Sequence, residues 1–86
     1  MKYVAPRPLA DPAAAARKLL EIANATEAVQ DGRIHIEKLN GPFLFKEGGT
    51  PAEYSAGLDH AIAQGWLWKQ SGTYVRFTQA GAELFA

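Results

Sequence analysis

The sequence predicts an α+β domain with a three-helix core, one short strand, a two-stranded C-terminal hairpin and a short last helix. Three observations predict it. "DPAAAARKLLEIANA", Asp11 to Ala25, repeats apolar residues at helical spacing. "TPAE", Thr50 to Glu53, is a capping box at the head of a second periodic run. "WLWKQSGTYVRFT", Trp66 to Thr78, alternates in polarity about a Ser-Gly turn signal.

The chain has 86 residues, enough for one small domain that leaves much of its surface in water. Apolar residues make up 48% and charged residues 21%, a composition that supports one core. There are no cysteines, which excludes disulfides, thiolate metal sites and thiol nucleophiles. Nine basic residues balance nine acidic ones, so bulk charge does not announce a polyanionic partner. No apolar run approaches the roughly 20 residues of a membrane-spanning helix. The opening "MKYVAPRPLADP" lacks an apolar signal core. A cytoplasmic protein with no membrane association is expected.

Residues 1–10 read as a flexible arm. Pro6 and Pro8 favour extended backbone, and Lys2 and Arg7 could carry charge toward a polyanion. The folded domain spans 11–86. Asp11 caps the first helix and Pro12 suits its first turn. Ala15, Ala16, Leu19, Ile22, Ala23 and Thr26 share one face of it, with Arg17, Glu21 and Ala28 opposite. Arg17 and Glu21 are spaced for a weak helical ion pair. "QDGR" ends the segment in a turn, and "RIHI" follows as a short strand with His35 outward.

Asn40-Gly41-Pro42 is a turn signal, so a second helix is expected over Pro42 to Glu47, ended by Gly48 or Gly49. A strand through "PFLF" is the alternative. Phe43, Leu44 and Phe45 are core candidates in both. In the helix capped by Thr50 and Glu53, Tyr54, Leu58, Ala61, Ile62 and Gly65 fall on one face, and Gly65 ends it. A two-residue Ser71-Gly72 turn pairs Lys69 with Tyr74, Trp68 with Val75, Leu67 with Arg76 and Trp66 with Phe77. Parity then turns Trp66, Trp68, Val75 and Phe77 inward, and Leu67, Lys69, Tyr74 and Arg76 outward. Thr78 caps the last helix, from which Leu84 and Phe85 reach back to the core.

From Gly57 onward, "GLDHAIAQGWLWKQSGTYVRFTQAGAELF" resembles the winged-helix family, a helix-turn-helix variant. The resemblance rests on a helix ending in "GW", a hairpin wing, and an F-T-x-x-G opening of the final helix. It covers residues 11–86. It implies that Thr50 to Gln64 is a recognition helix and Lys69 to Arg76 a wing, with base-edge contacts from the helix and phosphate contacts from the wing. It also places Asn40-Gly41-Pro42 where the family's second helix runs unbroken, so an interruption is expected there.

The outward face of the recognition helix holds Ala52, Ala56, Asp59, His60 and Ala63, flanked by Glu53, Ser55 and Gln64. None is basic. Ser55, His60 and Gln64 can hydrogen-bond to base edges, whereas Asp59 and Glu53 repel phosphates. The candidate DNA-binding residues are Ser55, Asp59, His60, Gln64, Lys69, Tyr74, Arg76 and Lys46, with Tyr74 stacking beside Lys69. Ser55, Asp59 and His60 do not make a triad, because Asp59 and His60 point about 100° apart on a helix. Two histidines without cysteine or H-x-x-x-H spacing offer no metal site. Gly48-Gly49 lacks the rest of a phosphate loop. A non-enzyme without cofactor is expected. The partner expected from the resemblance is double-stranded DNA, contacted by a transcriptional-regulator-like module. The alternative is protein contact or homodimerisation through the small outer face of the same helix.

Overall fold

The computed structural model describes residues 8–26, 32–70 and 72–85. The arm residues Lys2, Pro6 and Arg7, the helix-face residue Ala28, Asp31 of the "QDGR" turn and Ser71 of the hairpin turn lie outside them. In order, the elements are α1 (Pro12–Ala25), β1 (Ile34–His35), α2 (Glu37–Phe45), α3 (Pro51–Ala63), β2 (Leu67–Gln70), β3 (Tyr74–Phe77) and α4 (Gln79–Glu83). The strands form an antiparallel sheet in the order β1-β3-β2. Pro8–Ala10 forms a 3₁₀ turn, and its Leu9 packs on the core.

The helix ends form where their side chains satisfy free backbone groups. Asp11 accepts from the Ala13 amide at 3.1 Å. Thr50 Oγ1 accepts from the Glu53 amide at 3.1 Å, and Glu53 Oε1 accepts from the Thr50 amide at 3.0 Å, completing the capping box. Gly65, at φ 77°, lets the chain reverse after α3. Its amide then donates to Ile62 and the Trp66 amide to Ala61, the paired bonds of a Schellman ending. Thr78 Oγ1 accepts from the Gly81 amide and donates to the Gly65 carbonyl, tying the start of α4 to the end of α3.

The core gathers Ala15, Ala16, Leu19, Leu20 and Ala23 of α1, Ile34 of β1, Leu39 and Phe43 of α2, Leu58 and Ala61 of α3, Leu67 of β2 and Val75 of β3. Helices α1 and α3 meet where Gly57 has no side chain. A Cβ there would lie 2.7 Å from the Ala15 Cβ and 2.9 Å from the Ala15 carbonyl carbon. The expected pair of Arg17 and Glu21 is present at 3.6 Å on the exposed side of α1.

Several expectations change. The second helix begins at Glu37, not Pro42, and runs unbroken through Asn40, Gly41 and Pro42. Its N-cap position is Ile36, which has no capping side chain and so gave no start signal. Pro42 removes one i→i−4 bond, but the carbonyl it strands belongs to exposed Lys38, on the solvent side. At the end of this helix Phe43 is buried while Phe45 is 88% exposed, so Phe45 is not a core residue. Leu84, also expected inside, is exposed, and Phe85 alone packs against the core.

The hairpin is shifted by one residue. Leu67 pairs with Phe77, Trp68 with Arg76, Lys69 with Val75 and Gln70 with Tyr74. Three residues, 71–73, close the loop instead of two. Because side chains alternate at a period of two, the extra loop residue reverses both faces of β2 while β3 keeps its own. Leu67 therefore fills the core and Trp68 stands 54% exposed. Trp66 packs half-buried at the α3–β2 junction.

The register makes a direct prediction. Leu67→Ala should cost about 2–5 kcal/mol in urea unfolding. Trp68→Ala should cost no more than about 1 kcal/mol. The opposite ranking would restore the inward Trp68 that the alternation alone suggested.

Candidate functional site

Two surfaces carry most of the chemistry, and both follow from how strands and helices alternate. The first is the outward side of α3. Its core-facing positions, Gly57, Leu58 and Ala61, are buried, which leaves Ala52, Ser55, Ala56, Asp59 and Ala63 in solvent. Gln64, at the C-cap, is exposed as well. His60 departs from the wheel: it is half-buried, with its ring edge-on to Trp66 at 5.9 Å. Lys69 is exposed on β2 with the parity of Leu67 and Val75, so it projects from the helix side of the sheet near the hairpin tip.

The second surface is the outer face of the sheet. Ile34, Val75 and Leu67 point into the core, so His35, Tyr74, Arg76, Trp68 and Gln70 point away from it. The Arg33 guanidinium lies 4.5 Å from the centre of the Tyr74 ring. The His35 ring lies 4.5 Å from the same ring, tilted by 42°. One pair along, the Arg76 guanidinium lies 5.8 Å from the centre of the Trp68 ring. Tyr74 is therefore stacked by Arg33 and His35 and not by Lys69, which is on the opposite face. Lys69, Tyr74 and Arg76, expected to share one wing face, are divided between two.

Lys46 belongs to neither surface. It is exposed past the end of α2 and lines a groove between α1 and α2 with Lys18, Glu21, Ile22, Pro42 and Glu47. Lys18 bridges that groove. It reaches Glu21 at 3.0 Å and Glu47 at 3.7 Å, and the hydrogen bond to Glu21, then its charge, raises the ammonium pKa. Candidate residues are thus spread over the α3 side, the outer sheet face and the α1–α2 groove.

Arg33, His35 and Trp68 were not singled out as candidates from the sequence. Arg33 and His35 meet Tyr74 only through the pairing of β1 with β3, across some forty residues of chain. Trp68 was assigned to the core. The signal that finds it is "SGT", since a three-residue hairpin loop with a glycine is the next commonest kind after a two-residue one.

Among the described residues no three His, Asp or Glu side chains come together as a metal site, and no helix is long and apolar enough to cross a membrane. The chain matches no protein-family model, no curated protein and no solved structure.

Tyr54, beneath the α3 surface, packs its ring edge-on to Phe43 at 5.9 Å, and its hydroxyl is buried without a hydrogen-bond partner. That burial raises the phenol above its ordinary value of 10.0. The neutral phenol is the form the fold accepts. The stability this provides is intact below the ordinary pKa and is lost as pH rises through the higher folded value. Tyr54→Phe should therefore keep or raise stability at neutral pH and reduce the alkaline loss. Urea unfolding across the alkaline range checks this, and a loss above about 1 kcal/mol at pH 7 would reveal a hydroxyl contact worth a hydrogen bond.

Proposed function

We propose that the chain is a cytoplasmic winged-helix module that binds double-stranded DNA, as transcriptional regulators do, and that it carries no catalytic chemistry. The observation that carries this reading is the order α1-β1-α2-α3-β2-β3 with sheet order β1-β3-β2. It sets a capped helix beside a hairpin and leaves that helix's outer side uncovered. Fold alone does not fix function. Support from side chains is local: Ser55 and Gln64 are exposed for base-edge contact, exposed alanines can meet thymine methyl groups, and Lys69 stands on the helix side of the wing. Arg76 and Tyr74 lie on the far side of the sheet and are secondary in this reading.

Specificity comes from the helix and affinity from the few cations near it. Asp59 opposes phosphate approach, so the carboxylate lowers non-specific affinity and leaves discrimination to hydrogen bonds and shape.

A second reading rests on the same α3 surface. Ala52, Ala56 and Ala63 are exposed and there is no cation among them, which suits close contact with another protein, including a second copy of this chain. Ala56→Arg would abolish an oligomer built on that face.

Fluorescence anisotropy with mixed-sequence duplexes at several salt concentrations separates the two. If about four phosphates are contacted, log affinity should fall against log salt with a slope near −3.6. Lys69→Ala should weaken binding and flatten that slope by about 0.9, and Asp59→Asn should strengthen binding. No binding to any duplex at low salt would remove the DNA reading. Sedimentation of the wild type and Ala56→Arg would then decide whether α3 serves self-association.

A further inference from the structure

We propose that the outer face of the sheet is a stacking platform for single-stranded nucleic acid. The inference is independent of the duplex reading, because it uses the opposite face of the sheet from α3.

The face is built from alternating rings and cations. Arg33 and His35 both lie against Tyr74, and Arg76 lies against Trp68. Each arginine also has a further interaction within the chain. Arg33, His35, Gln70, Tyr74, Arg76 and Trp68 include no carboxylate. Glu37 lines a shallow groove with His35 and Gly72 beside this face. Charge complementarity therefore favours an anion.

The rings narrow which anion. Leu67 already fills the core position on β2, so burying Trp68 is not needed for folding. The Trp68 indole is 54% exposed on this face and can meet an incoming base. A duplex keeps the faces of its bases inside its own stack. A single strand offers both unpaired π-faces and a phosphate for each base, which is what rings interleaved with guanidinium groups recognise. The Tyr74 and Trp68 clusters are offset by two residues along the strands, about 7 Å, comparable with one nucleotide step of an extended strand. Gln70 is paired with Tyr74, two residues along β2 from Trp68, and its amide oxygen is buried. Trp68 stacks a base, Arg76 and Arg33 meet phosphates or stack in turn, and sequence preference is weak because every base has a π-face.

The test titrates the full chain at low salt with four twelve-residue probes: oligothymidylate, oligouridylate, an abasic strand of equal charge, and a duplex. At least one base-bearing single strand should quench tryptophan emission and bind about tenfold or more tighter than the abasic strand. The preferred sugar identifies DNA or RNA as the source. Trp68→Ala should weaken that binding about tenfold, Trp68→Phe should retain most of it, and both variants should melt like the wild type. Duplex affinity should change less than about twofold in Trp68→Ala, so loss of one activity is distinguishable from loss of the other. Equal binding of the abasic strand, unchanged binding by Trp68→Ala, or equal competition by polyglutamate would each overturn the proposal.

Discussion

The close approach of α1 to α3 at Gly57 is the constraint on which the rest of the structure depends. Ala15 and Ala16 of α1 are wholly buried against a position with no side chain. Small residues bring the two helix backbones near, and Leu19, Leu20, Leu58 and Ala61 then close the space along the contact. Once α3 is held this way, the opposite side of α3 has to face water. The Schellman ending at Gly65 sends the chain directly from α3 into β2, and the Thr78 bond to the Gly65 carbonyl brings β3 back to the same corner. Gly81 fits there because a Cβ would strike the Trp66 carbonyl oxygen. The hairpin is thus anchored at its base, and near its loop the Ile36 amide donates to the Thr73 carbonyl.

That anchoring separates the surface into sides with different chemistry. The α3 side is small and polar, with Lys69 alongside and Asp59 within it. The outer sheet face holds two guanidinium groups over two aromatic rings. The groove between α1 and α2 is a mixed-charge seam in which Lys18 joins Glu21 to Glu47. A neutral chain can therefore present a face on which two guanidinium groups lie against aromatic rings. Net charge alone concealed this.

What the sequence made legible was set by local interactions. Asp11, Thr50 with Glu53, Gly65 and Thr78 act on backbone groups within a few residues, and each ends or begins a helix where its chemistry requires. The three-helix core, the short strand and the hairpin followed from them. Features that depend on distant partners were hidden. The start of α2 has no cap, and the Ile36 amide instead donates to the Thr73 carbonyl in the hairpin loop, far along the chain. Asn40-Gly41-Pro42 reads as a turn locally, yet Leu39 and Phe43 gain enough burial to carry the helix through it. The faces of β2 turned on a single loop residue. The α3 surface was legible from a helical wheel. The Arg33–Tyr74–His35 stack was not, since it exists only when β1 joins β3.

The substitution Gly57→Ala tests the central claim most directly. In an exposed helix interior this change stabilises by about 1 kcal/mol, because alanine favours the helix. Here the added methyl would meet the Ala15 backbone, which cannot move aside as a flexible side chain could. The account predicts that urea unfolding will show a net destabilisation of about 1–3 kcal/mol from overpacking. A variant as stable as the parent, or more stable, would contradict the close crossing of α1 and α3 and the arrangement of surfaces that follows from it.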